Sequence, residues 1–308
     1  MPLYFQLVLG VSPGEVLAHR ILWSALLLSV LSTLTGRWPE VLRWLSRPEK
    51  VLLATISTLL IASNWIIYIV ATLNREVLQA SLGYYITPLF SVLLGLFILG
   101  ERLRVWQWIS LGFAAAGVGL QMHLVGKIPL LGLGLMFTFG LYGLVRKKMK
   151  IDSIAGLTLE TLILLPFALA FLSWWAWQGT GTIGKGDTRL LLYLMLSGPV
   201  TAAPLLLFGV GAKGLPLSLL GFLQYLSPSV QMIVATAMLG EELGKERTMS
   251  FALIWLGLAI FTVEAWHQSQ KASVAKASGP GEGATSETDE GLTAAKPLIV
   301  ESAKETAK

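Results

Sequence analysis

Residues 81–101, SLGYYITPLFSVLLGLFILGE, and residues 221–241, GFLQYLSPSVQMIVATAMLGE, are two copies of one pattern, and their pairing decides how this chain folds. In each copy a proline stands twelve residues before a Gly-Glu pair: Pro88 before Gly100-Glu101, and Pro228 before Gly240-Glu241. The offset is 140 residues, and the same register aligns Tyr85 with Tyr225 and Thr87 with Ser227. Both copies lie in long uncharged apolar segments. Duplication with helix breakers at matching depths is a common plan of secondary transporters.

Working outward from these copies, uncharged or nearly uncharged runs recur at 16–36, 51–73, 77–100, 105–122, 128–145, 153–178, 190–212, 214–240 and 248–266. Most reach the ~20 residues that cross a hydrocarbon core, so nine spans are expected. The runs are apolar all round rather than alternating, which predicts helices and excludes a β-barrel. With 54% apolar and only 13% charged residues, the chain departs from the roughly 25% charge of soluble domains. The lipid bilayer is therefore its surrounding, and the formal charge of +5 reflects topology rather than nucleic acid, which is not an expected partner.

The loops after the first, third, fifth and seventh runs carry Arg37, Arg43, Arg47, Lys50, Arg102, Arg104, Arg146, Lys147, Lys148, Lys150 and Lys213. The alternate loops carry Arg75, Lys127, Lys185, Arg189, Lys245 and Arg247. Eleven against six places the first set, and the C-terminus, in the cytoplasm. An odd number of chain reversals separates the two copies, so the repeats are inverted. Residues 1–11, MPLYFQLVLGV, are apolar but too short to span, and read as the end of a helix whose first turns are missing. Ser12-Pro13-Gly14-Glu15 has the form of a capping box opening the next helix, and Ser46-Arg47-Pro48-Glu49 repeats it. The tail, 268–308, is rich in Ala, Gly, Ser, Thr, Lys and Glu and reads as disordered and cytoplasmic.

The stretches GEVLAHRILWS (14–24), SNWIIYIVA (63–71), ASLGYYITPLFSVLLGLFILGERL (80–103), LYGLVRKK (141–148), LETLILLP (159–166) and GFLQYLSPSVQMIVA (221–235) together resemble the RarD subgroup of the EamA-type permeases, in the drug/metabolite transporter superfamily. The resemblance runs over about residues 1–267. It implies an all-α polytopic membrane helix bundle of two inverted five-helix repeats, with the substrate path between them. Here most of helix one is missing, leaving nine full spans. The first repeat then covers 1–122 and the second 128–267. The resemblance also implies a permease of a small organic solute, drug or metabolite, acting by efflux in the inner (plasma) membrane.

Several residues are candidates for the substrate path. Pro88 and Pro228 each free a carbonyl four residues back, on Tyr84 and Gln224, and exposed backbone polarity at mid-depth suits a cavity. Asn64, Trp65 and Tyr68 place an amide and two amphipathic rings in mid-span, where each seeks a partner or a cavity wall. Tyr84, Tyr85, Gln224 and Tyr225 form a second cluster one turn before the prolines, and Tyr142 in the fifth run is a further candidate. Helix packing is the competing reading for all of them.

Glu160 is the acid well inside a span, about seven residues or roughly 10 Å beyond Ser153. A carboxylate there is protonated, paired or facing water, which makes it the candidate for proton coupling; hydrogen bonding to neighbours such as Thr158 or Thr161 is the structural alternative. His19 and Arg20 either pair with Glu15, receive an anion, or leave Arg20 to snorkel to the interface. Trp174, Trp175 and Trp177 read as an aromatic belt. Small residues at 112–119 and 252–259 permit close helix approach, within the chain or in a homodimer.

Cysteine is absent, the three histidines at 19, 123 and 267 have no metal-ligand spacing, and no Walker motif occurs. No cofactor or metal is expected, and ATP does not drive the protein directly. A membrane-embedded enzyme would need a catalytic constellation that is not visible, and a non-transporting scaffold or sensor is the other alternative.

Overall fold

Proline, glycine and short polar pairs set the helix boundaries. The structure, a computed structural model, describes residues 4, 7, 8, 10–73, 76–126, 128–182, 187–230 and 244–277. Among them are ten helices and no strand: α1 Pro13–Leu34, α2 Trp38–Leu45, α3 Pro48–Leu73, α4 Val77–Leu99, α5 Val105–Val125, α6 Leu130–Met149, α7 Ser153–Trp177, α8 Thr188–Gly214, α9 Leu217–Gln224 and α10 Lys245–Ala277. The chain forms two units, Met1–Glu264 and Ala265–Lys308; the first holds the helix bundle, and the described part of the second is the last stretch of α10.

Four helix starts in the first half recur 140 residues later. Pro13 of α1 corresponds to Ser153 of α7, Pro48 of α3 to Thr188 of α8, Val77 of α4 to Leu217 of α9, and Val105 of α5 to Lys245 of α10. The starts coincide although the caps differ chemically: Ser12 accepts from Glu15 N before α1, whereas Asp152 accepts from Ile154 N before α7. Both satisfy a backbone donor that the helix start leaves open.

Eight of these helices are long and apolar enough to cross a membrane. The run at 214–240 is not one continuous described helix. It opens as α9, turns at Tyr225 and resumes helically over 226–230, next to Pro228. Proline removes the amide that would bond to Gln224, so the break falls where the sequence loses a donor. The rest of that run, with Gly240 and Glu241, lies outside the described residues, as do the tail beyond 277, residues 1–3, and Arg75, Lys127 and Lys185.

Within the bundle α4 packs on α6 and α9, α1 on α7 and α8, and α3 on α6 and α7. Tyr4 and Val8 pack beside Val16 and Leu194, which attaches the N-terminal segment to α1 and α8. Large apolar side chains cover the outside, including Phe97 on α4 and Leu207 on α8, which are 81% and 75% exposed. Such a surface is stable only against lipid. The inside is held partly by buried hydroxyls that bond to backbone, as Ser24 Oγ does to Gly198 O.

Three local expectations are corrected. Glu15 does not complete a capping box: its Oε1 accepts from Thr182 N at 2.6 Å and Thr182 Oγ1 at 2.7 Å, tying α1 to the α7–α8 loop. Ser46 does not cap α3; it ends α2, donating through Oγ to Arg43 O at 3.2 Å. That short α2 fills what the sequence reads as loop, because Val41 and Trp44 are spaced to bury one face. The aromatic belt is also divided. Trp174 and Trp177 are exposed, but Trp175 packs inward where Gly14 leaves room for its ring.

Candidate functional site

A cavity of about 280 Å³ opens inside the bundle between α1, α3 and α4 of the first half and α6, α8 and α9 of the second. Six pairs of its lining residues are separated by 140 positions: Ile61 and Thr201, Asn64 and Pro204, Trp65 and Leu205, Tyr68 and Phe208, Tyr84 and Gln224, Thr87 and Ser227. Twelve of the sixteen described lining residues belong to such pairs, so both halves of the chain supply the walls from corresponding positions.

Of the residues singled out in the sequence, Asn64, Trp65, Tyr68, Tyr84, Gln224 and Pro228 line this cavity, together with Arg20. The Asn64 amide is also a clamp, its Nδ2 donating to Leu135 O at 3.1 Å and Thr138 Oγ1 at 2.9 Å on α6. The rings of Tyr68 and Tyr84 lie 6.1 Å apart and tilted, and across the cavity Phe139 and Phe208 are 4.9 Å apart. These arrangements favour an apolar or aromatic guest with a few fixed polar contacts.

Tyr85, Pro88, Tyr142 and Tyr225 are not among the lining residues. Tyr85 meets Phe251 edge-on, with ring centroids 5.5 Å apart. Pro88 lies where α4 crosses α9, its carbonyl against Gly221. Tyr225 is buried beside Phe222, at the turn that separates α9 from the next helical residues. One residue along a helix rotates the side chain by about 100°, enough to take Tyr85 and Tyr225 away from the cavity that Tyr84 and Gln224 face.

Tyr142 belongs to a second polar cluster with Glu160. Both are almost fully buried, and Glu160 accepts from Ser57 Oγ at 2.7 Å, Tyr142 Oη at 3.2 Å and Arg146 Nη1 at 3.5 Å. Its partners are therefore on α3 and α6, not the neighbouring threonines. Thr158 and Thr161 instead donate back to Ile154 O and Leu157 O of their own helix. Arg146 also donates to Ser153 O, and its guanidinium lies against Gly156 and Gly209, where any side chain would displace it. The sequence reading placed Arg146 in a basic loop, yet its side chain is 3% exposed and forms the buried half of the pair.

Arg20 does not snorkel. It lies seven residues into α1, and its side chain is buried against α3 and α8: Nε donates to Thr201 Oγ1 at 3.0 Å, and Cζ stands 4.9 Å from the Trp65 ring centroid. His19 faces elsewhere, with Nδ1 accepting from Trp23 Nε1 at 3.2 Å. Arg20 and Glu160 are themselves separated by 140 residues. Thr201, whose counterpart is the apolar Ile61, would not have been selected by applying the offset to polar residues. Phe139 and Leu135 carry no comparable sequence signal, being apolar residues in an apolar helix.

Comparison with known proteins agrees with this architecture. The family model of EamA-like transporters matches residues 2–122 and 126–263. The chain belongs to the EamA-like transporter family. It is 42% identical over 274 residues to an uncharacterized transporter of Vibrio cholerae, covering 88% of this chain and 91% of that one. It is 39% identical over 272 residues to Protein RarD of Escherichia coli, covering 88% and 92%. A chloramphenicol-sensitive protein RarD of Pseudomonas aeruginosa is 30% identical over 264 residues, covering 84% and 88%. A solved crystal structure shares the fold at 21% identity, with a TM-score of 0.64 over 86% of this chain and 92% of that one. As an EamA-like protein with eight apolar helices of spanning length among the described residues, this is a multi-pass membrane protein, and relatives such as the Vibrio cholerae protein are named as transporters.

Proposed function

We propose that this EamA-like protein is a secondary transporter that moves a small organic solute out of the cell by alternating access of two inverted repeats. Its place is the inner (plasma) membrane, with the C-terminus in the cytoplasm. The observation that carries this reading is the cavity, which is walled by corresponding residues from the two halves. A site built that way can be exposed to either side by exchanging the conformations of the halves.

Glu160 is the proton-coupling residue in this reading. Its carboxylate is held by Arg146, Tyr142 and Ser57, so a proton would reach it only when α6 and α7 separate. Protonation and opening of this end of the bundle are then one event, because a neutral Glu160 no longer attracts Arg146.

The test is solute flux in proteoliposomes under an imposed pH gradient, with a panel of small acids, amides, amines and antibiotics. The expected result is gradient-dependent flux of at least one class, reduced in Asn64→Ala and insensitive to the gradient in Glu160→Gln. Binding without flux for every class would favour a sensor. Flux with unaltered pH dependence in Glu160→Gln would remove the proton role from that residue and leave transport intact.

A further inference from the structure

Arg20 brings a positive charge into the cavity without bringing an acid to neutralise it. Among the described residues the ion pairs are Arg37–Asp152, Arg104–Glu264, Arg146–Glu160 and Lys147–Glu101; Arg20 is in none of them. Its nearest acid along α1, Glu15, is engaged with Thr182. The Nε–H donates to Thr201, and no acid among the described residues pairs with the guanidinium, whose other polar neighbours are the tyrosines Tyr4, Tyr68 and Tyr84. The residue is 5% exposed and stands on the wall of the cavity. A buried cation in a membrane protein is stable when an anion or ordered dipoles meet it, and Arg20 is the cation that lines this cavity.

The two halves of the chain make the asymmetry visible. Glu160, the counterpart of Arg20, has a resident partner in Arg146; the position that corresponds to Arg146 in the first half is Gln6, which is neutral. Among the described residues, one half thus carries a complete pair and the other a cation without an acid partner.

We infer that the solute is a compact organic monoanion whose acid group is received by the Nη atoms of Arg20. Resting on the proposed transport function, this assigns the substrate class of the same cavity. Guanidinium presents a planar fork that matches two oxygens of a carboxylate, and Thr201 with Trp65 holds that fork in place. The remaining walls, with Trp65, Tyr68, Tyr84, Phe139 and Phe208, accept an aromatic or branched apolar body. Among the described residues no Asp or Glu lines the cavity, so an ammonium group has no counter-charge there. The site discriminates against amines and zwitterions by leaving them a buried charge unpaired.

Isothermal titration of the full chain in detergent, with 3-phenylpropanoate, 3-phenylpropanamide and 2-phenylethylamine as probes, tests the assignment without depending on transport. The acid is expected to bind roughly 10- to 100-fold more tightly than the amide, the span of one or two hydrogen bonds to a charged group, and the amine not measurably. Arg20→Gln should bring the acid down to the amide's affinity, with Arg20→Lys between them; the unfolding midpoint without probe checks that each variant is folded. Equal affinities of acid and amide for the unaltered protein would overturn the proposal, with no variant needed. A preference for acid that survives in Arg20→Gln would remove the role from Arg20. Acid binding without acid flux in proteoliposomes would defeat the transport reading and leave the site standing; flux of neutral solutes with no acid preference would do the reverse.

Discussion

Arg20 and Glu160 occupy corresponding positions, yet their surroundings give them different tasks. Glu160 is one half of a closed buried pair, and removing one member of such a pair leaves the other uncompensated, at a cost of about 3–5 kcal/mol. Glu160→Gln should therefore lower the unfolding midpoint clearly, while Glu160→Gln combined with Arg146→Met should recover part of the loss. If Glu160→Gln unfolds at the midpoint of the unaltered protein, the pair contributes nothing to stability; if the single and double variants are equally destabilised, the uncompensated Arg146 adds no cost of its own. Asn64→Ala removes two hydrogen bonds from α3 to α6, so it should lower stability by about 1–2 kcal/mol as well as weaken solute binding. A purely structural Asn64 would change the unfolding midpoint and leave affinity unmoved.

At the scale of elements, corresponding helices pack through corresponding residues. On α5 a side chain at Gly117 would come 2.7 Å from Ser250 O, and on α10 a side chain at Gly257 would come 2.7 Å from Ser110 O. Ser250 Oγ also donates to Gly117 O at 2.7 Å. The small residues noted in 112–119 and 252–259 thus serve an intramolecular crossing, although Gly112 and Gly119 face open space. Gly117→Val and Gly257→Val should each destabilise the protein by about 1–3 kcal/mol through overpacking, and by similar amounts. A large inequality between them in thermal unfolding would show that the two ends of the crossing are not equivalent. The turn before α9 is a second joint: Glu101 accepts from Leu217 N at 2.6 Å, Ser218 N at 2.9 Å and Ser218 Oγ at 2.7 Å, while Lys147 donates to Leu215 O. A carboxylate at a helix N-terminus meets both open donors and a favourable dipole. Glu101→Gln should cost about 2 kcal/mol, read from the unfolding midpoint.

For the whole molecule, the distribution of basic residues makes a directional prediction. Because the chain has no cysteine, single substitutions report sidedness cleanly. Gln178→Cys, beyond the end of α7, should react with an impermeant maleimide on intact cells, and Lys213→Cys, near the end of α8, only after the membrane is opened. The reverse pattern would invert the topology and place the C-terminus on the outer side.

How much of this was legible in the sequence differs between fold and site. The spans, the helical class and the duplication follow from long apolar runs and a repeated Pro…Gly-Glu pattern, since hydrocarbon demands internally bonded helices and leaves few other folds. Asn64, Trp65, Tyr68, Tyr84, Gln224 and Pro228, which stand out because polar or helix-breaking groups at mid-depth need a reason, all line the cavity. What the run of residues does not reveal is facing. In a helix apolar all round, periodicity does not distinguish the lipid side from the cavity side, so Tyr85 and Tyr225 looked equivalent to their neighbours and Phe139 looked like any other phenylalanine. Partnership was equally hidden: Arg146 and Glu160 are fourteen residues apart, but Ser57 is more than a hundred residues from Glu160, and only the packing of α3, α6 and α7 joins them. The amino-acid order thus determined the class of fold and the 140-residue correspondence, through hydrophobic length and helix punctuation. The tertiary structure alone decided which charges meet and which one is left facing the cavity, because pairing depends on the rotation and crossing of helices that are distant in the chain.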